Sequence, residues 1–181
     1  MMFRSDGPER STRRAAPLML AAALLAGCSA QQAGTAAPQG TASEAATQIT
    51  VLHPESGLEV IPLTVTGASG THSFAVEVAS SPQDRAQGLM FRTVLGPDEG
   101  MLFPSAAPAQ QSFWMKNTPL PLDIIFIGTD GRISNIAAST PPYSLDSVTS
   151  TGLASAVLEI PGGRAAELGI MPGDRVEWQA P

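Results

Sequence analysis

The chain is short of several things that chemistry usually requires. It has one cysteine, Cys28, in 181 residues. No disulfide can form within it, and zinc sites built on several cysteines are excluded. Two histidines, His53 and His72, leave little room for histidine-based catalysis. Only 14% of residues are charged, against about 25% in an average soluble domain. Lys116 is the sole lysine, and 10 basic residues against 16 acidic ones leave a net charge of −6. That balance argues against a nucleic-acid partner, whose phosphates need a basic face. Phosphate-cradling Gly-x-x-x-x-Gly-Lys loops, dinucleotide-binding Gly-x-Gly-x-x-Gly turns and Gly-x-Ser-x-Gly nucleophile elbows are all missing. No cofactor is therefore expected.

Long apolar runs are also missing. The longest useful one, Ala15 to Leu25, spans 11 residues, where a membrane-crossing helix needs about 20. Arg4, Arg10, Arg13 and Arg14 precede it. A basic start followed by a short apolar stretch is the pattern of a secretory signal peptide. It ends in Leu25-Ala26-Gly27-Cys28, which resembles a bacterial lipobox: small residues before a cysteine that receives a diacylglycerol and becomes the new N-terminus. The alternative is an ordinary signal peptide cleaved near Ala30. Ser29 matches the outer-membrane sorting choice of Gram-negative cells. Thr12-Arg13-Arg14 resembles a twin-arginine signal, but Ala16 and Pro17 stand where bulky apolar residues belong. Each buried methylene of an acyl chain contributes about 0.8 kcal/mol, so several chains on Cys28 would hold the protein on a membrane. The leader carries four arginines against Asp6 and Glu9, so its removal takes the net charge from −6 to −8.

The expected organisation is a signal peptide over 1–27, a lipidated cysteine and flexible tether over 28–48, and one globular domain over 49–181. The tether is Gln, Ala, Gly, Thr, Ser and Pro with a single charge, Glu44, and has no apolar period. The domain reads mostly with period two. Leu58-Val60 and Leu63-Val65 alternate around Pro62, which predicts an edge strand. Phe74, Val76 and Val78 alternate with Ala75, Glu77 and Ala79, and Gly70-Thr71 is the expected turn between these strands. Ser81 and Pro82 open a short helix as N-cap and first residue, ending near Gly88. Met101 to Phe103 and Ser112 to Lys116 are short strand candidates. Ile124 to Ile127 forms a central strand, Asp130-Gly131 a hairpin turn, and Val157 to Ile160 another strand. Arg164 to Leu168 makes a second helix closed by Gly169, and Val176 to Trp178 the last strand. The fold class is mainly β (α+β): a compact, barrel-like domain of short strands with two short helices.

One stretch is more specific than these patterns. Asp84-Arg85-Ala86-Gln87-Gly88-Leu89-Met90-Phe91-Arg92 is followed by Glu99-Gly100-Met101-Leu102-Phe103, then Phe113-Trp114-Met115-Lys116-Asn117-Thr118 and Pro121-Leu122-Asp123 with Phe126. Asp130-Gly131, Leu168-Gly169-Ile170 and Gly173-Asp174-Arg175-Val176 complete the set. In that order, over about 84–176, the chain resembles the domain of unknown function 192 family, small prokaryotic proteins that are often exported. The resemblance implies a small β-rich domain with short helices, and no function. Many relatives carry cysteines after the Pro-Pro pair; here Pro141-Pro142 is followed by Tyr143, so a role that depends on those cysteines is absent.

Candidate ligand-binding residues are Arg92, Trp114, Lys116, Asn117 and Asp123. If 113–117 is a strand, Phe113, Met115 and Asn117 share one face, and Trp114 and Lys116 the other. A flat apolar plate, a donor and an acceptor suit a polar ligand such as a glycan, peptide or partner protein. The competing reading makes Trp114 core and pairs Lys116 with Asp123 or Glu99. Arg92 is an anion fork, a cap on the helix end or a partner of Glu99. Asp84 suits the positive end of its helix. Met90, Met101 and Met115 offer soft sulfur for copper(I), but Met90 and Met101 sit in Leu-Met-Phe and Met-Leu-Phe runs that read as core, and no Met-x-x-Met cluster or histidine nearby in sequence accompanies them. His53 and His72 read as surface or edge residues. An enzyme would draw on Glu99, Asp123, Asp146 or Glu159, with Asp123 and Glu99 as acid and base and Lys116 stabilising charge. Ser144 and Ser147 lie in a loop with no base nearby in sequence. The expectation is a lipid-anchored envelope domain that binds a polar ligand, with a polysaccharide-acting enzyme or an assembly factor as alternatives.

Overall fold

The computed structural model describes residues 50–179. The signal peptide, Cys28 and nearly all of the tether lie outside the described residues. Every described element belongs to one unit, Ala46–Pro181.

In chain order the elements are β1 (Val51–Leu52), β2 (Glu59–Gly67), β3 (Gly70–Val78), α1 (Pro82–Gln87), β4 (Glu99–Ala109), β5 (Ser112–Phe113), β6 (Leu122–Gly128), β7 (Ile133–Thr140), β8 (Val148–Thr149), β9 (Ala154–Pro161), α2 (Arg164–Leu168) and β10 (Arg175–Trp178). The main sheet runs β1-β2-β3-β4-β9-β6-β7, with β10 also on β2; β5 and β8 form a separate ribbon. All pairs in the main sheet are antiparallel except β3 with β4. The start of β7 meets β10 through an isolated bridge, Arg132 to Arg175. The sheet therefore curls around a core without closing into a barrel. This is the mainly β fold with two short helices that the periodicity points to.

Pro62 is not on an edge. β3 pairs with β2 along its whole length, while the opposite edge of β2 is shared by β1, at Glu59 and Val60, and β10, at Leu63 to Thr66. Pro62 falls in the gap between those two partners, where no ladder needs its missing N–H. The following turn is Ala68-Ser69, with Gly67 and Gly70 as its closing pair. α1 starts as expected. The Ser81 hydroxyl oxygen accepts from Asp84 N (3.1 Å) and the hydroxyl donates to the Asp84 carboxylate (2.6 Å).

Strand alternation divides the apolar residues between two clusters. The inner cluster takes Leu63, Val65, Phe74, Val76, Leu102, Leu158, Ile160, Ile125 and Ile127, among others. The outer cluster lies on the opposite face of β4, β9 and β6. It holds Met101, Phe103, Val157, Ile124 and Phe126, with Leu89 and Met115 laid over them. Two features bring β9 into place. β6 is buried along its whole length, which makes it central as its apolar run requires. Gly100 lets β4 approach closely, since a Cβ there would lie 2.5 Å from the Glu159 carbonyl oxygen.

Register then sets one row across the outer face: Glu77, Met101, Glu159, Ile124 and Ala137. Two acidic side chains thus stand among apolar ones, both buried.

Candidate functional site

Segments 88–92, 113–118 and 141–144 cover the outer cluster and are joined by backbone hydrogen bonds. Phe91 N donates to Asn117 O (2.8 Å), Tyr143 N to Thr118 O (3.1 Å) and Met115 N to Ser144 O (3.0 Å). Phe91, Asn117 and Tyr143 all have positive φ, at 65°, 56° and 61°. Left-handed backbone costs a non-glycine residue about 1–3 kcal/mol, and such strain collects at functional sites. It leaves the Phe91 and Tyr143 rings exposed.

Between α1 and the 112–118 segment lies a cleft of about 260 Å³, lined by Arg85, Gln87, Met90, Phe103, Gln111, Ser112, Phe113, Trp114, Lys116 and Glu159, among others. Trp114 is 48% exposed and also lines a smaller hollow with Met115, Thr140, Pro141 and Asp146. The Lys116 ammonium sits 5.2 Å from the Trp114 ring centroid and has no acidic partner among the described residues. Arg85 directs its fork at two neutral oxygens, Pro104 O (2.8 Å) and Gln111 Oε1 (3.1 Å). Burial lowers its pKa from the ordinary value, though not enough to discharge an arginine.

Glu159 is the unusual member. It is 5% exposed and makes no side-chain hydrogen bond among the described residues. Its row neighbours Met101 and Ile124 are apolar, and its carboxyl meets solvent only through the cleft it lines. Desolvation pushes its pKa up to about 8. At neutral pH it is mostly a carboxylic acid, able to donate as well as accept.

The candidate residues from the sequence divide. Trp114 and Lys116 share the cleft, as their alternation implies, although only Ser112 and Phe113 of that segment are strand. Asn117 lies beyond the strand, in a turn, with its amide 3.8 Å from Met90 Sδ. The expected Lys116 pair with Asp123 or Glu99 does not form. Asp123 is fully buried on the inner face, where its carboxylate accepts from Ser139 N (2.7 Å), Gly163 N (2.9 Å) and Ala165 N (2.8 Å). Glu99 accepts from Gly96 N (2.7 Å). Arg92 pairs not with Glu99 but with Glu77, through two hydrogen bonds of 2.9 and 3.1 Å, and reaches Glu55 at 3.1 Å. Its guanidinium is 9% exposed. His53 is not a bystander either: Nε2 lies 3.7 Å from the Glu77 carboxylate. Met101 and Met115 are core; Met115 Sδ accepts from the Thr140 hydroxyl (3.2 Å). The acid and base imagined from Asp123 and Glu99 are not assembled, since neither lines the cleft.

Glu159 was available to sequence reading only as one carboxylate among several. In Val157-Leu158-Glu159-Ile160 it breaks an apolar run, and an acidic residue inside a central strand is the signal that marks it.

No curated protein matches the chain. A crystal structure of a protein of unknown function from Novosphingobium aromaticivorans DSM 12444 is similar, with 52% identity and a TM-score of 0.71 over 73% of this chain and 94% of the other. A second, from Sinorhizobium meliloti 1021 and provisionally described as a transcription regulator, has 41% identity and a TM-score of 0.65 over 67% and 95%. Those chains consist almost wholly of the matched region and are folded without a further domain's worth of chain. A family model described as uncharacterized ACR matches residues 63–178, and the chain belongs to that family, domain of unknown function 192.

Proposed function

We propose that this chain is a lipid-anchored domain of the bacterial cell envelope, facing the periplasm if the host is Gram-negative, that binds a small polar ligand. A glycan, a peptide or a segment of a partner protein fits that description. Glu159 carries the reading: a buried carboxyl with no side-chain hydrogen bond among the described residues, at a cleft that also holds a half-exposed indole and an ammonium with no acidic partner among them. The carboxyl opens onto the cleft, where a ligand hydroxyl or amide would give it a hydrogen-bond partner. The cleft is mixed in character, which fits small-molecule recognition. Strained backbone at Phe91, Asn117 and Tyr143 adds support. A glycan and peptide screen against residues 46–181 tests it, with Trp114→Ala as control. Saturable binding lost in the variant is expected; no binding by any member, or binding that the variant keeps, contradicts it.

A second reading, catalysis, has one observation in its favour. A carboxyl raised to about 8 by burial has the proton affinity of a general acid at neutral pH. Turnover of a polysaccharide, abolished by Glu159→Gln, would favour it. The regulator description of the Sinorhizobium protein finds little support here: the net charge is −6, and Arg92, Arg164 and Arg175 are tied to carboxylates.

A further inference from the structure

Resting on that reading, we infer that the cleft takes an anionic sugar: a pyranose ring carrying a carboxylate. The ring lies against Trp114, the carboxylate pairs with Lys116, and a ring hydroxyl meets Glu159.

The charge pattern carries the argument. Six basic residues stand within the described chain, and three of them, Arg92, Arg164 and Arg175, are paired with carboxylates. Of the remaining three, two line this one cleft, Arg85 and Lys116. Two of the three cations without a carboxylate partner among the described residues thus stand at a single concavity, where low-dielectric walls strengthen their field. The only acidic residue lining that cleft is Glu159. Its apolar flanks disfavour a charge on it, and the two cations across the cleft offset what charge it carries. Met101 and Ile124 flank it in the row, Arg85 faces it from α1, and Lys116 from the 112–118 segment. Glu77 lies beyond Met101 and is already held by Arg92. A neutral acid on this surface donates to a hydroxyl, whereas a carboxylate could only accept.

The remaining lining fits a sugar better than a flat aromatic ligand. Trp114 gives one exposed plate, while Gln87, Gln111, Ser112 and Thr118 supply polar edges for several hydroxyls. A cleft of about 260 Å³ lies just under the roughly 300–1,000 Å³ of drug-sized sites, which suits one ring. The ammonium stands over the Trp114 ring, 5.2 Å from its centroid, so a carboxylate paired with it lies close to a sugar ring resting on the uncovered part of the indole, the arrangement of a sugar acid.

The test is an NMR titration of residues 46–181 with D-glucuronate, D-glucose and D-glucosamine, which share one ring and differ in charge. Saturable shifts at the Trp114 indole and Lys116 amide are expected with glucuronate, at least tenfold tighter than with the other two. Lys116→Ala brings glucuronate down to the level of glucose. Raising the pH from 6.5 to 9.5 weakens glucuronate binding in the parent but not in Glu159→Gln, because ionised Glu159 repels the ligand. Equal or tighter binding of glucose or glucosamine overturns the anion assignment while leaving a polar-ligand site in place. No saturable shift with any of the three overturns the sugar assignment, and the wider glycan and peptide screen then decides the binding reading separately.

Discussion

Glu77 and Glu159 stand in one cross-strand row on either side of Met101, and only Glu77 has an arginine. The two buried carboxylates are treated oppositely. Arg92 grips Glu77 with two hydrogen bonds, and the Ser56 hydroxyl adds a third. Glu159, one strand further along from Met101, is left to the cleft. The first site is architecture and the second is available for chemistry.

Truncating the arginine leaves Glu77 buried and unpaired. Removing one partner of a buried pair costs about 3–5 kcal/mol, so Arg92→Ala lowers Tm by roughly 10 °C or more. Glu77→Leu combined with Arg92→Met recovers most of the loss, because the desolvation penalty goes with the charges. Thermal melting of the three variants checks this; a double variant as unstable as the single one contradicts it.

Burial of Glu159 ties stability to pH. Its pKa is about 8 in the folded chain against an ordinary 4.5, so between those values the folded state binds more protons than the unfolded state. Its contribution is greatest below the ordinary value, declines as pH rises through the window and is flat above the folded value. The slope is at most about 1.4 kcal/mol per pH unit. Urea unfolding at pH 5, 6.5 and 8 shows the decline in the parent, and Glu159→Gln flattens it. Parallel profiles in the two proteins contradict the assignment.

Asp123 behaves as an anchor. Its carboxylate takes three backbone N–H groups, two of them at Gly163 and Ala165 where α2 begins. Hydrogen bonds to a charged group contribute about 1.5–3 kcal/mol each, so Asp123→Ala costs about 3 kcal/mol or more. Well below its melting temperature, the variant keeps ligand affinity. A melt unchanged from the parent, or a stable variant that loses binding, contradicts the anchoring role.

Trp114 gives the reverse pattern. An exposed residue away from caps and networks is usually worth within about 0.5 kcal/mol. Trp114→Ala therefore melts close to the parent and loses at least tenfold in ligand affinity. Melting and NMR titration of one sample separate the two effects; a large fall in Tm identifies Trp114 as core.

Much of the fold was legible in the residues. Ser81-Pro82 marks the start of α1 and Gly169 the end of α2, because capping is local. Ile124 to Ile127 reads as a central strand because only a strand covered on both faces tolerates such a run. The interior position of Pro62 was not legible. It depends on β1 and β10, more than 100 residues apart in sequence, leaving a gap at that point. The site was half legible. Trp114 and Lys116 are neighbours in sequence and stay together. Asp123 looked equally apt, but in β6 it has the parity of Ile125 and Ile127 and faces the inner cluster. Glu159 has the parity of Val157 and faces the cleft side. Alternation within each strand was visible; the registers that align β4, β9 and β6 are tertiary facts.

The proposed lipid anchor has its own test. Radiolabelled palmitate enters the parent in cells and is lost in Cys28→Ala; incorporation unchanged by that substitution contradicts the anchor.

The most direct measurement is an NMR pH titration of the Glu159 carboxyl carbon in residues 46–181, assigned with Glu159→Gln. A midpoint near 8 means that a buried, unpartnered acid stands at the cleft, as the binding account requires. A midpoint near 4.5 means that the carboxyl is solvated or paired, and the account of the cleft is then wrong.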